Sequence, residues 1–138
     1  MSANRLSARA RELLAIWPEA PATVRQIAIF AAQNPGFDPR NYGDAASYRA
    51  DSRKAQKALA RVRLALYKCA AHGVTDADIY TAQRGDRLTA SMDDCDYTAC
   101  QYWCVEFRDA CARVLESAAR LAYQRNVAAN AARVAAAG

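Results

Sequence analysis

Residues 44–73 read DAASYRADSRKAQKALARVRLALYKCAAHG, an aspartate and a glycine enclosing a run without proline or further glycine. Asp44 suits an N-cap, because its short carboxylate accepts from the unpaired backbone N–H groups of a helix's first turn. Gly73 suits the position just past a helix, where a left-handed backbone is tolerated at no side-chain cost. Between them Ala55, Leu59, Val62, Leu66 and Cys69 recur at intervals of four, three, four and three, one face of an α-helix. At about 1.5 Å per residue this helix is roughly 43 Å long, and it predicts an all-α fold with this element as the long central helix.

The flanks agree. Leu6, Ala10, Leu13, Leu14 and Trp17 predict an amphipathic helix over residues 3–16, stopped at Pro18. Pro21 fits a first helical position, and Val24, Ile27, Ala28 and Ala31 carry a second helix to Asn34. Ile29 and Phe30 widen its apolar face, so it should be buried on two sides. The run PGFDPRNYGD (35–44) is a loop, with Phe37 and Tyr42 to pin it.

After the central helix, Thr75 and Asp78 resemble a capping box opening a short helix to Arg84, and Gly85 ends it. Residues 86–97, DRLTASMDDCDY, lack a helical period and predict a small β-hairpin near 87–97. Thr98 and Gln101 form a T-x-x-Q capping box for the last helix, whose core stripe is Trp103, Phe107, Cys111, Val114, Ala118 and Leu121. Asp109–Arg113 and Glu116–Arg120 are i,i+4 pairs for its exposed side. The alanine-rich tail, 127–138, should extend the helix and fray. No repeat or linker interrupts the chain, so 1–138 is expected to be one compact bundle of about five helices.

Composition sets the class of partner. Of 138 residues 53% are hydrophobic, but many are alanine, the best helix former and a weak core filler. The net charge of +5 suits an anionic partner or a soluble protein. The first residues show no apolar segment of a signal peptide, and no run approaches the ~18 apolar residues of a membrane span. Five cysteines in such a chain read as reduced thiols, and the expected location is the cytoplasm.

The positive charge is concentrated. Arg49, Arg53, Lys54, Lys57, Arg61, Arg63 and Lys68 against Asp44 and Asp51 put +5, the chain's whole excess, on the central helix. At roughly 100° per residue, Arg53, Lys54, Lys57, Arg61 and Lys68 fall within about 100° of arc, nearly opposite the Leu59–Val62–Leu66 seam. Residues 86–109 instead carry Asp86, Asp93, Asp94, Asp96, Glu106 and Asp109 against Arg87 and Arg108. A dipolar surface follows. A basic stripe can be a solvated helix face or a docking surface for phosphates or an acidic protein patch.

Catalytic and metal signals are thin. His72, the single histidine, sits three residues after Cys69, and Cys100 with Cys104 shares a face at i,i+4. Together they number four zinc-type ligands, but the spacing fits no standard finger, and buried thiols explain the cysteines equally well. Asp93-Asp94-Cys95-Asp96 lacks the EF-hand alternation, and no phosphate-binding glycine fingerprint or nucleophile pattern is present. No catalytic residue, metal or cofactor is therefore assigned. Tyr97, Tyr102, Trp103 and Phe107 form the aromatic half of the core or, for Tyr97 and Tyr102 beside Arg108, an interface anchor.

Two stretches, NPGFDPRNYGDAASYRADSR (34–53) and DYTACQYWCVEFRDACARVL (96–115), resemble small helical proteins of phages and prophages, a class that includes anti-CRISPR and other anti-defence inhibitors. The likeness is carried by Asn41-Tyr42-Gly43-Asp44 and Gln101-Tyr102-Trp103. It implies a non-enzymatic inhibitor that binds a host protein or ribonucleoprotein complex stoichiometrically inside a bacterial cell. From the charge pattern and not from the likeness, the contacts to expect are Arg53, Lys54, Lys57, Arg61 and Lys68 on the basic face, or Asp93, Asp94 and Asp96 on the acidic one, with Tyr102 as an aromatic anchor. A direct nucleic-acid-binding accessory protein is the alternative, and a small enzyme or zinc-dependent protein a third.

Overall fold

A computed structural model describes residues 6–33, 40, 42–85 and 104–138. Among them are five α-helices and no strand: α1 Ala8–Ile16, α2 Ala22–Ala32, α3 Ala45–His72, α4 Asp76–Arg84 and α5 Cys104–Ala137. The expected hairpin near 87–97, the Thr98–Gln101 capping box and Trp103 lie outside the described residues.

The ends of the helices follow local chemistry. Ser7 accepts from the Ala10 N–H to open α1, and Asp44 accepts from the Ser47 N–H at 2.7 Å to open α3. Gly73 closes α3 in the left-handed region, φ 68°, with its N–H on the Cys69 carbonyl. Thr75 and Asp78 complete a reciprocal capping box at the start of α4. Pro21 stands one position earlier than expected, at the N-cap of α2, where it offers no side-chain acceptor. Asp76 of α4 supplies it instead, taking the Thr23 N–H at 3.3 Å.

One hydrophobic cluster draws on all five helices, with Leu13, Val24, Val62, Ile79, Val114 and Leu115 among its fully buried members. The centre of the bundle passes from α3 to the first half of α5. Phe107, Ala110, Cys111, Ala112, Val114, Leu115, Ala118, Ala119 and Ala122 are all buried, about 200° of that helix's circumference. Alanine explains the width: its small side chain lets α2, α3 and α4 all approach α5 closely, and α3–α5 is the most extensive helix pair. Past Ala122 every residue of α5 is exposed, and the helix continues to Ala137.

Candidate anion-binding surface on α3 and α5

The buried arc of α3 is wider than the sequence seam, because Ala58 and Ala65 are buried beside Ala55, Val62, Leu66 and Cys69. Ala65 lies only about 40° around the helix from Arg61, so contact with α5 reaches the edge of the basic stripe. Arg61 is accordingly a clamp between helices and not an outward contact. Its Nε donates to Glu116 Oε2 at 3.2 Å, one terminal nitrogen to Glu116 Oε1 at 2.7 Å, and the other to Asp109. The hydrogen bond to Glu116 raises the guanidinium's pKa against the opposing effect of burial, and the charges of Glu116 and Asp109 add to it.

Two further expectations change with that clamp. Glu116 was expected beside Arg120 on its own helix but is taken by Arg61. Asp109 was expected on a separate acidic surface; it lies against the basic helix, bridging Arg61 and Arg113. Arg63 meanwhile reaches Glu12 of α1 at 3.8 Å.

Of the five stripe residues, Arg53, Lys54, Lys57 and Lys68 remain outward, all exposed. Among the described residues no carboxylate bridges any of the four. Between Lys57 and Lys68 stand two large apolar side chains that the periodicity did not single out, Leu64 at 62% exposure and Tyr67 at 57%. They occupy the side of α3 turned away from the core. Arg53 to Lys68 spans about 22 Å along the axis.

The stripe ends in a groove. Lys68 and His72 of α3 with Glu116, Ala119, Arg120 and Tyr123 of α5 line an open groove of about 280 Å³. Tyr123, half exposed, meets the His72 ring edge to face at 5.2 Å between centroids. The end of α3 is tied down from α5: Asn126 Nδ2 donates to the His72 carbonyl at 3.0 Å, and Arg125 donates to the Gly73 carbonyl at 3.3 Å and to Asp78 at 2.6 Å. These contacts cap the orphan carbonyls of the helix terminus.

The remaining site residues fall as follows. Cys69 is fully buried and donates its thiol to the Leu115 carbonyl at 3.4 Å. Burial, then the charge of Asp78, pushes the thiol up to about 12. Metals bind the thiolate, so Cys69 is a core residue, and among the described residues no three metal-ligating side chains gather. Arg108 is buried, 4% exposed, and its Nε donates to the Ala31 carbonyl at 2.7 Å, capping α2. Phe107 points inward as expected, against Phe30. Asp93, Asp94, Asp96, Tyr97, Tyr102, Cys100 and the Cys104 side chain lie outside the described residues.

Compared with known proteins, the chain matches no family model, no curated protein and no solved structure. No described helix is long and apolar enough to cross a membrane.

Proposed function

We propose that this protein acts by binding alone, seating the outer face of α3 on the anionic surface of a host nucleoprotein complex, in the manner of the anti-defence inhibitors it resembles. One observation carries the reading. Arg53, Lys54, Lys57 and Lys68 face outward unbridged by any described carboxylate, while Asp109 and Glu116 of α5 are held by Arg61 and Asp51 of α3 accepts from the Tyr42 hydroxyl. Fold-internal pairing thus leaves the face strongly one-signed, and Leu64 and Tyr67 give it apolar area to bury against a partner.

The test is retention of ribonucleoprotein from a bacterial lysate by the immobilised wild type and by the double variant R53E/K57E. The wild type should retain a complex that the variant loses, while both give the same circular-dichroism spectrum. Equal retention by both would remove the basic face from the proposal.

The same four cations also favour a second reading, direct binding of nucleic acid. Four phosphate contacts would give a slope of log affinity on log salt of about −3.6 for duplex DNA and about −2.8 for a single strand. Fluorescence anisotropy with bare oligonucleotides at about 50 mM salt separates the two readings. Binding with that slope supports direct recognition, and its absence beside retained ribonucleoprotein supports the inhibitor.

A further inference from the structure

The groove where the α3 stripe ends has a charge balance that neither sequence spacing nor its own lining reveals. Its lining holds two cations, Lys68 and Arg120, the imidazole of His72 and one acid, Glu116. Both oxygens of Glu116 are engaged from outside the groove by Arg61. The acid is therefore neutralised where it stands, and the groove presents the two cations to whatever enters.

The last turn of α3 would ordinarily oppose an anion here, since a helix C-terminus carries partial negative charge. Asn126 and Arg125 blunt that effect by donating to the carbonyls of His72 and Gly73. Tyr123 closes one side with a half-exposed ring that His72 braces edge-on. A flat aromatic group can stack on such a ring. At about 280 Å³ the open groove is at the small end for ligand sites, enough for a phosphate and part of a sugar.

We infer that this groove binds a nucleotide phosphate monoester, with Lys68 and Arg120 on the phosphate, a ring N–H of His72 donating a third hydrogen bond, and the base on Tyr123. Arg61 serves as a positioning residue that keeps Glu116 from repelling the phosphate. The site does not depend on the outer face of α3 being used by a macromolecule.

Because His72 is the chain's single histidine, its ring protons report occupancy without assignment ambiguity. Titration of the full chain with adenosine 5′-monophosphate should shift them saturably, with a dissociation constant below about 1 mM. Arg120→Gln, on an exposed side chain, should weaken binding about tenfold, and Glu116→Gln should tighten it severalfold. R53E/K57E should leave the titration unchanged, which separates this site from the macromolecular face. Inorganic phosphate should bind several times more weakly than the nucleotide, and adenosine at least tenfold more weakly. An unshifted histidine at about 10 mM nucleotide, an Arg120→Gln protein that binds as the wild type does, or equal binding of adenosine would each overturn the proposal.

Discussion

Arg61 grips Glu116 at two points, Nε to Oε2 at 3.2 Å and a terminal nitrogen to Oε1 at 2.7 Å, across the main helix pair of the fold. A planar guanidinium matches a carboxylate in this way, and an ammonium does not. The grip joins positions 55 residues apart, so it fixes the register of α3 against α5 while setting the charge of the surface beside it.

Arg61→Ala should lower the unfolding free energy by about 1–2 kcal/mol, more than an exposed pair because three carboxylate contacts are lost together. Arg61→Lys should recover less than half of that. Urea denaturation of R61A, E116A and the double variant forms a cycle in which a coupling near zero would show that the pair contributes nothing to stability.

Asp78 closes the α4 capping box and receives Arg125 from α5. Burial alone would raise its pKa, but the Arg125 hydrogen bond and the Thr75 N–H outweigh it, and the carboxyl titrates below its usual 3.8. A depressed folded value means that the stabilisation is complete above the unfolded value and is lost as pH falls through the folded one. Asp78→Asn should cost about 2 kcal/mol at neutral pH. The wild type's margin over the variant should hold down to about pH 5 and shrink below 3.8. Urea midpoints at a series of pH values check it; a margin that widens in acid would contradict the assignment.

Cys69 should be chemically silent in the folded protein, since its thiol is buried and titrates near 12. Thiol titration with a disulfide reagent at pH 8, followed by peptide mapping, should leave Cys69 unmodified until denaturant is added. Rapid labelling under native conditions would show that the α3–α5 contact opens readily.

Gly73 holds φ 68° with open space around the position a Cβ would take. Gly73→Ala should therefore cost about 1 kcal/mol through backbone strain alone. Calorimetry that shows no loss would mean the turn relaxes without penalty to the caps from Arg125 and Asn126.

Much of this fold is written locally. The caps Asp44, Gly73 and Thr75–Asp78 mark helix ends within one residue of their observed places, because each acts through hydrogen bonds spanning a few residues. The Val62–Leu66–Cys69 seam is buried for the same kind of reason: a spacing of three and four puts side chains on one face whatever the neighbours are. Alanine was the obstacle. As a side chain it signals helix and little else, and whether Ala58, Ala65, Ala112 and Ala119 face solvent or another helix depends on which helices meet there.

The sequence by itself determined that the described chain is helical, where α3 and α4 begin and end, and that the positive charge gathers on α3. Tertiary structure alone decided which of those charges remain outward. Packing on α5 turned Arg61 to Asp109 and Glu116, α1 brought Glu12 to Arg63, and Arg53, Lys54, Lys57 and Lys68 were left outward beside Leu64 and Tyr67. It also sent Arg108, Arg125 and Asn126 to the carbonyl ends of other helices. The physical reason is range: capping and periodicity act over a few residues of one strand of chain, whereas a charge pairs with whatever the fold brings within a few ångströms, and that partner is named only when the helices pack.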